Sequence, residues 1–172
     1  SGVRGSQVTI AGEGFIARSN THPDLYKVDI TYDNKLVATA TPNHRGSFKA
    51  TITINKDAPI GKTNKVTAKV RDMSISASTI HSVPQHQLTV TPTAGQVGTE
   101  LLVTGSGFPA FGQVLFKVGH IWLVSEPPVY ADLYGNFETS IRIPDGTPQG
   151  KNIVWVQMRN VSLVFDIQVT GG

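Results

Sequence analysis

The chain of 172 residues contains no cysteine, few aromatic residues and no long apolar run. The absence of Cys excludes disulfide bonds and thiolate metal sites, and it leaves the cellular compartment open. No apolar run approaches the ~20 residues that a membrane-spanning helix needs. The segment Ser1-Gly2-Val3-Arg4 does not resemble a signal peptide. We therefore expect a chain that does not span a membrane.

Patterns that would indicate catalysis or a metal site are also missing. There is no Gly-x-Ser-x-Gly elbow, no Cys nucleophile and no pair of carboxylates on a shared strand face. His81 and His86 flank the connection between two repeats with a spacing that fits no familiar ligand pattern. Asp29 and Asp33 are too far apart to form a calcium loop alone, and Asp132 is typical of an Asx turn, with structural Ca²⁺ as the lesser alternative. The sequence predicts a protein that is not an enzyme and uses no cofactor.

The chain repeats itself at an interval of about 90 residues, which indicates two small domains. Three short motifs recur, at offsets of 93, 89 and 89 positions. They are Gly12-Glu13-Gly14-Phe15 and Gly105-Ser106-Gly107-Phe108, Gly46-Ser47-Phe48 and Gly135-Asn136-Phe137, and Pro59-Ile60-Gly61-Lys62 and Pro148-Gln149-Gly150-Lys151. We predict domains over residues 1–83 and 84–172, joined through residues 83–87, where Pro84 limits bending.

Apolar and polar residues alternate through most of both repeats, and helical periodicity is absent. The pattern predicts strands over residues 8–10, 26–30, 36–40, 48–54 and 66–70 in the first repeat, and over 88–92, 101–103, 114–118, 129–131, 137–143, 154–158 and 161–169 in the second. The 17 Gly and 10 Pro supply the turns between them. Short strands with frequent turns predict an all-β chain of two tandem immunoglobulin-like β-sandwiches.

The motifs follow one another in a fixed order in each repeat. A strand ending in Gly-x-Gly-Phe precedes the turn with Gly-x-Phe, which precedes a Pro-rich crossing loop and a closing apolar strand. In this order the chain resembles the tandem immunoglobulin-like repeats of secreted and cell-surface proteins of archaea and bacteria, including surface-layer proteins. The resemblance implies an extracellular, structural or adhesive role. The first repeat departs from it by having Pro42-Asn43-His44-Arg45 where the second has residues 130–134, so a calcium ligand at Asp132 would not transfer.

The first repeat has no counterpart of the apolar segment Leu88-Thr89-Val90-Thr91-Pro92. Aligning residues 5–10 with residues 98–103 places Ser1 opposite Ala94, so the first sandwich is expected to lack its first strand. Three explanations stay open: a chain cut from a longer array, a slot filled by a neighbouring subunit, or an incorrect alignment. An open edge invites another strand. The candidates for partner contact are therefore Val8 and Ile10, which lie on the expected open edge of the first repeat. Leu88 and Val90 are further candidates, because they lie on the strand that covers the matching edge in the second repeat.

Charge is unevenly divided along the chain. Residues 1–83 hold 11 Lys/Arg and 6 Asp/Glu, a net +5, whereas residues 84–172 hold 4 and 6, a net −2, so the total is +3. Lys65, Lys69 and Arg71 alternate onto one strand face, either to meet an acidic surface or anionic polysaccharide, or as a solvated strand that resists edge pairing. No aromatic residues interleave these cations, so nucleic acid is not an expected partner.

Trp155 is the remaining candidate for a contact. It points outward if Val154, Val156 and Met158 face the core, and it is buried if the register is shifted by one residue. The leading hypothesis is an extracellular structural protein, a segment or subunit of a surface layer, sheath or filament. Its partners would be copies of itself or neighbouring repeats of the same polypeptide. The alternative is a polysaccharide-binding or adhesion module of a larger secreted protein, which uses Trp122, Tyr130, Tyr134 and Trp155.

Overall fold

The computed structural model describes residues 1–17, 21–22 and 26–171, and these residues form strands and turns without a helix. The chain divides into two compact units, Ser1–Pro84 (unit 1) and Gln85–Gly172 (unit 2). Within the described residues there is accordingly no helix with the length and apolarity needed to cross a membrane.

Unit 1 contains two antiparallel sheets. Its strands are β1 (Gln7–Gly12), β2 (Val28–Tyr32), β3 (Lys35–Ala40), β4 (Phe48–Thr53), β5 (Thr63–Val70) and β6 (Ser76–Ser82). One sheet has the order β1-β4 and the other has the order β3-β2-β5-β6. The core between them includes Val28, Ile30, Ile52 and Val66, each at most 2% exposed.

Unit 2 has the same architecture with more strands. They are β7 (Gln87–Thr91), β8 (Ala94–Gly95), β9 (Glu100–Ser106), β10 (Gln113–Val118), β11 (Ile121–Leu123), β12 (Val129–Tyr130), β13 (Phe137–Arg142), β14 (Gly150–Met158) and β15 (Val161–Val169). One sheet has the order β13-β9-β7. The other has the order β11-β10-β14-β15-β8, in which β8 runs parallel to β15 and β12 also pairs with β10. The fold-class prediction, an all-β chain of tandem immunoglobulin-like sandwiches, is confirmed.

Strict alternation explains why these segments are strands. On β5 every second residue from Asn64 to Val70 is buried while Lys65 and Lys69 are exposed, because successive side chains of a strand point to opposite faces. On β14 the buried residues are Val154, Val156 and Met158. Each unit therefore closes its own core between two half-apolar sheets.

The structure contains strands that the sequence did not indicate, notably β6, β8 and β11. The inward positions of β6 carry Ala77, Thr79 and His81, which give little apolar periodicity. The strand predicted over residues 26–30 is β2 and begins two residues later, because Tyr26 has a positive φ of 67° that an extended strand cannot contain.

The turns before β4 and β13 are the same despite different sequences. The carboxylate of Asp132 accepts hydrogen bonds from the backbone N–H groups of Tyr134 and Asn136, both at 2.8 Å. The side-chain oxygen of Asn43 accepts from Arg45 and Ser47 in the same way, at 2.8 and 3.1 Å. Asp132 is thus an Asx-turn residue, and no cluster of three or more potential metal-ligating side chains is found in the described residues.

Candidate functional site

In the part of the chain that the structure describes, strand β1 has a strand neighbour on one side only. It pairs with β4 from Gln7↔Thr53 to Gly12↔Phe48, and β9 pairs with β13 in the matching register, from Glu100↔Arg142 to Gly105↔Phe137. The other side of β9 is covered by β7, whereas among the described residues no strand covers the other side of β1. The open edge of β1 is therefore a surface specific to unit 1.

Burial at matching positions shows what the missing neighbour changes. Leu101 and Val103 on β9 are fully buried at 0% exposure, whereas their counterparts Val8 and Ile10 on β1 are half-buried. On β7 the side chain of Val90 is 1% exposed because it fills the space between the sheets of unit 2. Val8 and Ile10 thus lie at an incompletely covered part of the core, where the sequence placed an exposed edge.

A groove of about 100 Å³ lies beside this edge, and we call it the edge groove. It is lined by Ile10, Ala11, Gly12, Phe15, Phe48, Val66, Ala68, Ala77, Ser78 and Thr79. Two of its lining residues on β6, Ala77 and Thr79, occupy the register positions that Leu163 and Phe165 occupy on β15. The side chains that border the edge groove on β6 are therefore smaller than those at the matching positions of unit 2.

Leu88 and Val90 do not form an accessible contact surface. Val90 is buried in unit 2, and Leu88 is half-buried against the same core. The prediction that Leu88 and Val90 contact a partner is therefore corrected, because the apolar face of β7 packs against the core of its own sandwich. Leu88 and Val90 instead show which side chains a strand carries when it covers an edge of this kind.

A buried polar pair lies between the two sheets of unit 1. The Tyr32 hydroxyl and His81 Nδ1 are hydrogen-bonded at 3.0 Å, and His81 is 5% exposed. Burial lowers the pKa of the His81 imidazole, and burial raises the pKa of Tyr32 to about 12. In unit 2 the matching positions hold the apolar residues Val118 and Ile167.

The basic residues on β5 are outward but do not protect an edge. Since β5 lies between β2 and β6, Lys65 and Lys69 project from the middle of the sheet face. Arg71 is engaged by Asp29, to whose carboxylate it donates two hydrogen bonds of 2.6 and 3.0 Å, and this guanidinium holds the pKa of Asp29 below its usual value. The edge-protection interpretation is therefore corrected, and of these three cations Arg71 is the one that forms an ion pair within the described residues.

Trp155 points outward, as alternation with the buried Val154 and Val156 requires. It is half-buried because Trp122 packs against it, with ring centroids 5.1 Å apart and ring planes tilted by 54°. Lys117 Nζ lies 5.3 Å from the Trp155 ring and 5.8 Å from the Trp122 ring, within the range of cation–π contacts. The Trp155 indole N–H donates to the Ser162 hydroxyl. The sequence left Trp155 open between an outward contact position and a buried one, and it gave no sign of Lys117.

We call the outer surface of β11, β10, β14 and β15 the tryptophan face. Its exposed apolar residues are Leu115, Trp122, Ile153 and Val164, with Trp155 between them. Tyr130 pairs with Gln113 at the far end of β10, and Tyr134 lies in the turn before β13. The four aromatic residues proposed as a sugar platform are thus not one cluster, and only the two Trp rings are in contact.

Comparisons with known proteins bear on the fold alone. No protein-family model matches the chain, and no curated protein sequence does so. Among solved structures it is similar to the central fibronectin-III array of RIM-binding protein, with 11% identity and a TM-score of 0.39, covering 98% of this chain and 65% of that one. It is also similar to titin A168169 (14% identity, TM-score 0.36, covering 98% and 91%) and to an ICAM-5 D1–D4 ectodomain fragment (14%, 0.36, covering 98% and 50%).

Proposed function

We propose that this chain is a structural segment of an extracellular array, such as a surface layer, sheath or filament, and that unit 1 receives a strand from a neighbouring immunoglobulin-like repeat. The observation that carries the proposal is the open edge of β1, where Val8 and Ile10 are half-buried while their counterparts Leu101 and Val103 are fully buried. The neighbouring repeat belongs either to the same polypeptide or to another copy.

The physical reason is that the edge offers both hydrogen bonds and apolar area. A strand added to β1 would pair with backbone groups for which the described residues provide no strand partner on that side. Its inward side chains would fill the edge groove, and burying each Leu- or Val-sized side chain contributes about 1.5–3 kcal/mol. A strand of the β7 type supplies both.

The width of the edge groove defines the strand further. Because Ala77 and Thr79 replace Leu163 and Phe165, side chains larger than Leu88 and Val90 have room there. We infer that the incoming strand alternates polar residues with large apolar ones, one of them aromatic.

Charge provides a second contact between copies. The +5 of residues 1–83 and the −2 of residues 84–172 favour head-to-tail association through Lys65 and Lys69. Such association weakens with ionic strength, since the Debye length is about 10 Å at 0.1 M salt. Assembly that is indifferent to salt would contradict this contribution.

A synthetic peptide tests the strand proposal directly. The peptide His86-Gln-Leu-Thr-Val-Thr-Pro92 and versions with Phe in place of either apolar residue are titrated into the chain, and amide signals of β1 are followed by NMR. We expect protection of β1 amides and tighter binding of a Phe version. The matched control has Ser at both apolar positions and should not bind. Absence of any shift at β1, together with a monomeric mass and no filaments or sheets in negative-stain images of concentrated protein, would refute the proposal.

Polysaccharide binding is the second candidate function, favoured by the contact between Trp122 and Trp155. The 54° tilt between the rings does not provide a flat platform for successive sugar rings, so this candidate ranks lower. Its test is a titration with neutral and acidic polysaccharides followed by Trp emission. The emission reports on this surface because both Trp residues of the chain, Trp122 and Trp155, lie on it.

A further inference from the structure

The tryptophan face carries residues that the fold does not require. One row crosses four strands in the order Trp122, Lys117, Trp155 and Val164. In unit 1 the same register positions on β3, β2, β5 and β6 hold Leu36, Thr31, Thr67 and Ser78. Because unit 1 forms the same sheet with these small or aliphatic residues, the two indoles and the lysine serve something other than folding.

The apolar residues around the indoles indicate a protein partner. Val164 is 58% exposed, Trp122 51%, Leu115 43% and Ile153 37%. Exposed aliphatic side chains cannot form hydrogen bonds with sugar hydroxyls, whereas a Trp surrounded by aliphatic residues is the usual centre of a protein interface.

A lysine and an aspartate on this face allow it to pair electrostatically with the same face of a second copy. Lys117 lies on β10 beside Trp155, and the exposed Asp166 lies on β15, paired with Ile153. They are two strands and two residues apart, a separation of about 12 Å, with Trp155 on the strand between them. A two-fold axis lying in the contact plane and passing near Trp155 would bring each Lys117 opposite the Asp166 of the other copy.

We propose that the tryptophan face binds the same face of a second copy of this chain, with the indoles at the centre and two Lys117–Asp166 pairs around them. The four strands have three, six, nine and nine residues, so at about 3.4 Å per residue and about 4.8 Å between strands they give a face of about 440 Å² per copy. The total of about 900 Å² is below the ~1,200 Å² of a stable specific interface, so a weak, transient dimer follows.

Two measurements on the full chain test this dimer. Sedimentation velocity gives the mass between about 1 μM and 1 mM, the range expected for a small interface. Trp emission is recorded on the same samples, because both Trp residues of the chain lie in the contact. We expect a dimer mass and a blue shift of the emission to rise together with concentration.

Variants borrowed from unit 1 show whether the side chains themselves are responsible. The variant K117T/W155T carries the unit 1 residues at those positions, leaves Trp122 as the emission probe, and should raise the dissociation constant at least tenfold, as loss of a central Trp does in other interfaces. Thr67→Ser on unit 1 is the matched control and should leave the dimer unchanged.

Charge exchange tests the two-fold arrangement. Lys117→Asp and Asp166→Lys should each weaken the dimer, and the variant with both exchanges should recover it, because the pairs are re-formed with opposite sign. Failure of the double exchange to recover the dimer would overturn the symmetric contact.

These outcomes are separable from those of the strand proposal. Association through the β1 edge raises the mass without shifting Trp emission, since both Trp residues lie in unit 2. A monomeric mass and constant emission up to 1 mM, or a dimer that survives K117T/W155T unchanged, would refute the tryptophan-face dimer and leave the β1 proposal standing.

Discussion

The ring of Phe137 lies directly over Gly105, its partner across the β9–β13 pair. A methyl group built on Gly105 would be 2.1 Å from Phe137 Cε1, closer than any real contact. The same relationship holds in unit 1, where a methyl group on Gly12 would be 2.3 Å from Phe48 Cε1. The first Gly of the Gly-x-Gly-Phe motif and the Phe of the Gly-x-Phe motif are thus two parts of one packing contact, which explains why they occur together.

Substitution of this glycine should be costly. Gly105→Ala forces the Phe137 ring out of a packed core, and overpacking of this kind costs about 1–3 kcal/mol of the free energy of unfolding. Urea unfolding followed by Trp emission reports on unit 2, where both Trp residues lie. Ser106→Ala is the neighbouring control and should change the stability by much less. A Gly105→Ala variant as stable as the wild type would show that the ring moves freely.

The Asx turn at Asp132 predicts a difference between two substitutions. Asp132→Ala removes the acceptor of two backbone hydrogen bonds and should cost about 1 kcal/mol. Asp132→Asn should be nearly neutral, because Asn43 forms the same turn in unit 1. Urea unfolding of the two variants makes the comparison. Equal destabilisation by both would mean that the carboxylate has a role beyond the turn.

Unit 1 should lose stability in acid because of His81. Burial lowers the folded-state pKa of this imidazole below its ordinary value of about 6.5, so the folded state binds fewer protons than the unfolded state. This stabilisation is complete above pH 6.5 and is lost as the pH falls towards the lowered pKa. Tyr32 has the corresponding effect in alkali. Because its folded-state pKa is about 12, the unfolded state loses this proton first, and the free energy of unfolding declines as the pH rises above 10. Amide signals of unit 1, followed during thermal unfolding at each pH, measure both effects.

Unit 2 supplies the control for this pH dependence. The double variant Tyr32→Val, His81→Ile places the residues of unit 2 at the same positions and removes both titrating groups together. We expect its melting temperature to vary less between pH 5 and pH 6.5 than that of the wild type. Tyr32→Phe alone should destabilise unit 1 by about 1–3 kcal/mol, because it leaves a buried imidazole nitrogen without its partner.

A larger side chain in the edge groove should compete with an incoming strand for the same space. Thr79→Phe introduces the residue that Phe165 supplies in unit 2, and the aromatic ring would cover part of the groove beside Val66. We expect a higher melting temperature of unit 1 and weaker binding of the Phe-containing peptides. Ile80→Phe, on the opposite face of β6, is the control. Peptide binding that is unaffected by Thr79→Phe would place the peptide elsewhere.

The strands with clear alternation could be predicted from the sequence, and β6 shows why others could not. Ala77 and Thr79 face inward at a groove that lies where the opposite sheet ends at β1, and His81 is buried but polar. The inward positions of β6 therefore show no apolar pattern. The sequence left the orientation of Trp155 open, and the burial of Val154 and Val156 in the structure decided that it points outward. Its contacts with Trp122 and Lys117 could not be predicted either, since strands far apart in sequence bring them together.

The sequence by itself determined the all-β class and the motifs that shape each repeat, because alternation and turn chemistry act over a few residues. Only the tertiary structure decided that Ile10 borders a groove, that Val8 is half-buried, that Leu88 and Val90 pack into their own core, and that Lys117 lies against two indoles. These properties depend on which strands become neighbours and on which edges they cover. That is decided mostly by packing between distant segments, as where Trp155 joins Lys117 and Trp122 from a strand more than thirty positions later in the chain.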